Sequence, residues 1–206
     1  RRPLIKGLFV TLEITAYSIV ITLLVGLVTA LLRLSQSFSG RLLALIYLEL
    51  VRNTPLLVQM FVFYFVMSPI FGLDRFWVGV LCISLFEGSF ASEIIRAGIL
   101  SVEKGQWEAS YSVGLTEAGS YRYVILPQAV PLMLPPLTGV IINLIKHPAI
   151  VSVIAVFDLT TQGLNLIAET FMSFEIWLTI ASIYLLMTIT MSVLVSLLEQ
   201  RIRKRS

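Results

Sequence analysis

EASYSVGLTEAGSYRYVILP, residues 108–127, is a polar, helix-spaced stretch set between two long apolar runs. Glu108, Ala109, Val113 and Gly114 can share one helical face, and their small side chains allow another protein to approach closely. Gly114 permits the left-handed turn that would join two short helices. A segment this polar does not enter a bilayer, while the runs on either side do. The fold is therefore expected to be a bundle of membrane spans interrupted by a docking element.

Composition supports the membrane reading. Of 206 residues, 57% are apolar and 13% charged, against roughly a quarter charged in an average soluble domain. Mean hydropathy is +0.92. Cys82, the single cysteine, lies in an apolar run, so this chain offers no disulfide framework or cysteine metal site. The formal net charge is only +3 and is concentrated in the tail, at Arg201, Arg203, Lys204 and Arg205. That pattern fits a membrane-flanking cluster and not a nucleic-acid surface.

Five segments are long enough to cross about 30 Å of hydrocarbon: Leu8–Leu32, Leu42–Met67, Phe76–Leu100, Gln128–Phe157 and Phe174–Leu198. The joints RLSQSFSGR, SPIFGLDR, residues 101–122 and DLTTQGLNLIAETFM read as polar connections. An odd number of spans puts the termini on opposite sides. Arg33, Arg41, Arg96, Lys104, Arg122 and the tail cations fall on one side, and Arg1, Arg2, Lys6 and Arg75 on the other. The richer side should be cytoplasmic, with the N-terminus outside and the C-terminus inside. Trp77 and Trp177 then lie near outer span ends, where indole rings favour the interface. Residues 1–206 are expected to form one transmembrane domain, with the polar loop at 101–122 in the cytoplasm.

Some polar residues sit where a bilayer penalises them, an ionised group near a span centre costing about 2.5–3.5 kcal/mol. Glu93 and Arg96, spaced i,i+3, suggest a local ion pair, and so do Glu49 and Arg52. Arg52, Asn53 and Thr54 precede Pro55, which breaks the helix and frees backbone groups. Glu87 lies mid-span among Gly88, Ser89, Ala91 and Ser92. Lys146 and His147 fall in a fourth span interrupted by Pro131, Pro135, Pro136 and Pro148, and Lys146 has no acidic residue at i±3 or i±4. A broken span of this kind is expected to line a polar path. An amino acid requires donors, an anion and freed backbone groups, which Arg52, Asn53, Thr54, Glu87, Lys146 and His147 could supply.

The spacing Glu108-Ala109-Ser110, three residues, Gly114, then Leu126-Pro127 resembles the EAA loop of ATP-binding-cassette importer permeases. The third position is Ser110 where that family usually has Ala, and Val124 stands where Ile is common. ELVRNTPLLVQMFVFYF (49–65), FEGSFASEIIRAGILSVEKGQWEAS (86–110) and NLIKHPAIVSVIAVFDLT (143–160) are similar to segments of the histidine/glutamine/glutamate-type polar amino acid permeases. The resemblance implies an all-α, five-span type I importer fold in a bacterial inner membrane. It also implies two permease subunits, identical or related, two ATP-binding-cassette ATPase subunits and an extracytoplasmic solute-binding protein. Glu108, Ala109, Ser110, Gly114, Leu126 and Pro127 would dock the ATPase. ATP and magnesium would be bound by that partner, and this chain, not itself an enzyme, contains no G-x-x-x-x-G-K-[ST] phosphate loop.

Relatives of this branch often carry Asp or Asn after the lysine, then Ser or Thr, where this chain has His147 and Pro148. A cationic side chain would lose an acidic partner there, so acidic or amide amino acids are expected ahead of basic ones. An ion-gradient-driven secondary transporter would also explain buried charges and a broken helix, but it leaves the Glu108–Gly114 loop without a purpose. An intramembrane enzyme using His147 with Glu87 or Glu93 would have one histidine and one cysteine in the whole chain, too few for most transition-metal sites.

Overall fold

The computed structural model describes residues 2–203, and these are almost wholly helical. Lys204 and Arg205 of the tail cluster lie outside the described residues, and the side chains of Arg201 and Arg203 are likewise not described. Eight helices follow in chain order: α1 Arg2–Leu34, α2 Phe38–Arg52, α3 Leu56–Phe71, α4 Arg75–Leu100, α5 Lys104–Ser112, α6 Glu117–Ile154, α7 Leu159–Thr170 and α8 Ser173–Arg203. Side-chain caps start several of them. Asp74 accepts from the Trp77 amide at 3.0 Å, Ser37 from Gly40 at 3.2 Å and Thr116 from Gly119 at 3.2 Å.

α1, α4, α6 and α8 are each long and apolar enough to cross a membrane. α4 is the central helix: 67% of its apolar window is buried, against 6% for α8. α1 buries a stripe of small and hydroxylated residues: Ser18, Thr22 and Gly26 lie against α4, Thr15 reaches the Leu144 carbonyl of α6, and Gly7 and Thr11 meet the start of α7, while Phe9, Val20, Leu24 and Val28 point outward. This is a soluble helix turned inside out. In lipid, close backbone approach and hydroxyl bonds hold helices together, and large apolar side chains face the acyl chains. Ser18 and Thr22 hydroxyls reach the Val80 and Ser84 carbonyls of α4 at 3.5 and 3.4 Å.

The second span breaks at Pro55, as its sequence suggested, and sharply: α2 and α3 meet at 108°. Pro55 has no N–H to offer the Val51 carbonyl, and side chains bond the carbonyls at the end of α2. Asn53 Nδ2 bonds Glu49 O at 2.8 Å, Thr54 Oγ1 bonds Leu50 O at 2.7 Å, and Gln59 Nε2 bonds Val51 O at 2.7 Å. With those groups satisfied, the bend is tolerable at membrane depth.

The fourth span, conversely, is continuous where its prolines suggested a break. α6 runs through Pro131, Pro135 and Pro136, starting with a wide turn at Tyr121–Ile125 and tightening to a 3-10 helix at His147–Ile154. It ends at Ala155, which has a left-handed φ of 55°.

The stretch after it, expected as a polar joint, is mostly helix α7. Asp158 caps α7 by accepting from Thr161 N at 2.9 Å and Thr160 N at 3.1 Å. Burial pushes the Asp158 carboxyl above the usual carboxylate range, opposed by its bonds to Thr161 and Thr160. The Leu159 amide donates to Thr11 Oγ1 at 3.1 Å, and the Thr160 and Tyr184 hydroxyls meet at 3.1 Å. These contacts tie α7 to α1 and α8.

Candidate functional site

Two features collect the functional candidates: the loop between α4 and α6, and a groove between those same helices.

In the loop, α5 is followed by Gly114, whose φ of 81° is left-handed, and α6 begins under the Thr116 cap. The turn at Gly114 is the one the sequence suggested, but it joins the short α5 to the start of the long α6 and not to a second short helix. The inner face is fixed by Ser110. Its buried hydroxyl lies 2.8 Å from both the Trp107 carbonyl and the Ser120 hydroxyl. The Trp107 and Tyr121 rings meet edge-on at 5.0 Å, and Gln106 and Gln128 side chains meet at 3.2 Å. A serine where alanine is usual thus bonds the start of α6 to α5. Glu108, Ala109, Val113 and Gly114 are left exposed, and so are Leu126 and Pro127. Glu108 makes only an exposed 3.5 Å pair with Lys104, of a kind that contributes little.

The groove is lined from one side by α4 and from the other by α6. Residues 136, 139, 143 and 147 recur at helical spacing on α6, facing 86, 87 and 90 on α4. This pocket holds about 450 Å³, with Glu87, Asn143 and His147 as its polar walls. Glu87 is 2% exposed, its Oε1 directed at His147. His147 Nδ1 stands 3.0 Å from Glu87 Oε1 without forming a hydrogen bond, and that buried nitrogen has no partner among the described residues. A buried polar atom of this kind is costly unless a ligand completes it.

A second cavity of about 600 Å³ adjoins it, sharing Phe90 and Pro136 as walls and extending to Ser101. Pro136 lacks the donor that would satisfy the Leu132 carbonyl, and both residues line this cavity. From Glu87 to Ser101 the groove follows about 20 Å of helix.

Arg52 opens onto the second cavity, and not onto the pocket of Glu87. It does not pair with Glu49, as the i,i+3 spacing suggested. Glu49 instead accepts from Asn53 Nδ2 at 2.7 Å, and Arg52 points to α4. Asn53 and Thr54 are engaged in the α2–α3 bend. Lys146 is exposed, lines neither cavity and makes no salt bridge among the described residues. Glu93 and Arg96 do pair, and Arg33 of α1 joins them. Arg33, Asn143 and Phe90 were not singled out from sequence. Asn143 had a signal, since it sits four residues before His147 and so on the same face, whereas Arg33 had none.

Residues 22–204 match the family described as binding-protein-dependent transport system inner membrane component. The chain is 36% identical over 200 residues to a protein of Bacillus subtilis (strain 168) named probable glutamine ABC transporter permease protein GlnM, covering 96% of this chain and 92% of that one. It is 37% identical over 199 residues to the L-cystine transport system permease protein TcyB of the same organism, covering 95% and 85%. A solved structure described as an amino acid ABC transporter with histidines superposes with a TM-score of 0.87 at 42% identity, covering 97% of this chain and 94% of that one.

Proposed function

The chain belongs to the family of binding-protein-dependent transport system inner membrane components, and we propose that it is the membrane-spanning subunit of an ATP-driven importer of polar amino acids. The observation that carries the substrate reading is the Glu87–Asn143–His147 pocket, a buried acid beside an imidazole nitrogen left without a partner. Glu87 takes the α-ammonium group, a His147 ring nitrogen donates to the carboxylate, and Asn143 remains for the side chain. A basic side chain would need a second acid at the pocket and an acidic one a further donor. An amide can both donate to and accept from Asn143, so amide amino acids fit first. Names of relatives support the same class, one being called a glutamine permease.

A second copy, or a related permease, roofs the open groove. The exposed face of Glu108, Ala109 and Gly114, with Leu126 and Pro127, docks an ATPase subunit that binds ATP and magnesium. A solute-binding protein delivers the amino acid from outside. An ion-driven transporter would have no use for that docking face.

Two measurements test this reading. With the ATPase and binding protein in proteoliposomes, uptake of labelled L-glutamine should require ATP, stop with vanadate and survive collapse of ion gradients. Glu87→Gln should raise its half-saturation roughly ten- to hundredfold, the loss of one charge-assisted hydrogen bond. Uptake that follows an imposed ion gradient without ATP would overturn the importer. Wild-type half-saturation in Glu87→Gln, with uptake of arginine or glutamate in place of glutamine, would overturn the pocket assignment.

The proposed orientation places the N-terminus outside and the loop of α5 in the cytoplasm. In a Cys82→Ser background, Ser39→Cys and Ser112→Cys should resist an impermeant thiol reagent in intact cells, while Asn165→Cys should react. All three side chains are exposed. A labelled Ser112→Cys with a protected Asn165→Cys would invert the topology and separate the loop from cytoplasmic ATP.

A further inference from the structure

Three guanidiniums converge on one carboxylate at the loop end of the groove. Arg33 of α1 and Arg96 of α4 contact Glu93 directly, and Arg52 of α2 stands off, its Nη1 3.9 Å from Glu93 Oε2. Arg52 Nη2 donates to the Ser89 carbonyl, its guanidinium carbon lies 5.3 Å from the Phe90 ring centre, and its Nε is buried with no partner. The cluster therefore carries more cation than anion, and its least satisfied cation lines the 600 Å³ cavity.

We propose that this cavity is a second substrate station, where the carboxylate of the travelling amino acid pairs with Arg52 after leaving the Glu87 pocket. The proposal rests on the amino acid reading above. Phe90 and Pro136 wall both chambers, so a solute moves between them without crossing another helix. Glu87 and Glu93 are six residues apart on α4, about 9 Å along the axis, close to the length of one extended amino acid. A planar guanidinium whose Nη1 stands 3.9 Å off Glu93 Oε2 can take a substrate carboxylate end-on, in a two-pronged bond through Nη1 and Nη2. Glu93 is the stand-in anion when the cavity is empty. It lies close enough to compete with the substrate for Arg52, which keeps the station weak and favours release.

The test counts labelled L-glutamine bound to the permease–ATPase complex in nanodiscs without nucleotide. Wild type should bind two per permease chain. Glu87→Gln should remove one, and Arg52→Met the other, weakening it roughly ten- to hundredfold. Glu93→Gln should tighten the Arg52 station, a gain that a purely structural role for Arg52 cannot produce. If Arg52→Met does not assemble, Arg52→Lys carries the test: it retains charge without the fork, and binding at the station should weaken.

One glutamine per wild-type chain, removed by Glu87→Gln, would overturn the station and leave the transport reading intact. No glutamine bound in wild type would remove the pocket reading and the station together. Two glutamines unaffected by either Arg52 variant, with phosphatidylglycerol retention lost in Arg52→Met, would give the cavity to a lipid phosphate and overturn the proposal.

Discussion

Gly114→Asp is expected to leave the permease folded and assembled while abolishing stimulation of the partner ATPase by the loaded binding protein. The reasoning separates inside from outside. Among the described residues, a Cβ at Gly114 would meet no heavy atom within 4 Å, so none of them opposes it sterically. Its φ of 81° is left-handed and penalises an L-residue by about 1–2 kcal/mol, too little to unfold a bundle of this size. On the proposed docking, the new side chain would meet the ATPase, on the face formed by Glu108, Ala109 and Val113.

Gly114→Asn isolates the backbone term, because Asn tolerates this conformation nearly as well as Asp and adds bulk without charge. It should retain part of the stimulation. Gly105→Ala, also with nothing within 4 Å but at the far end of α5, should behave as wild type. The measurement is ATP hydrolysis in nanodiscs with and without loaded binding protein, with assembly checked by size. Full stimulation in Gly114→Asp would remove this loop from ATPase docking.

Gly26→Leu should remove most folded protein. Here the obstruction is internal: a Cβ at Gly26 would lie 2.8 Å from Ala91 Cβ and 3.2 Å from the Ser92 backbone nitrogen. Even a methyl group would push α1 off α4, and the rest of a leucine has no free volume to enter. Separation would also loosen the Thr22–Ser84 and Ser18–Val80 contacts along the same seam. Overpacking of this kind costs about 3 kcal/mol, a large fraction of the stability of a typical domain. Gly139→Ala is the matched control, since a Cβ there meets nothing within 4 Å, and helix propensity predicts a gain of up to about 1 kcal/mol. Monodisperse yield in detergent and the thermal midpoint report both effects. A Gly26→Leu protein with wild-type yield and midpoint would show that α1 and α4 are not held by this seam.

Much of the architecture was legible in local patterns. Apolar runs located the four long helices and the bent α2–α3 pair, but not the short helices α5 and α7 in the joints. The loop could be read because its chemistry is local: a glycine that must turn and small residues that must stay exposed. Asn143 with His147, and Glu93 with Arg96, lie within one turn of a single helix, where spacing alone fixes the face.

What only the tertiary structure decided is which residues meet across helices. Arg33 reaches Glu93 across 60 positions of sequence and Glu87 lies beside His147 across another 60, because α1 and α6 settle against α4 at one particular offset and rotation. Periodicity says which side of a helix a residue occupies, but not the height at which a neighbour presents its partner. The prolines show the same limit. Pro55 and Pro136 each remove one donor, yet one accompanies a 108° bend and the other lies in a continuous helix. The outcome depends on surrounding packing and on which side chains, such as Asn53, Thr54 and Gln59, reach the carbonyls at the end of α2.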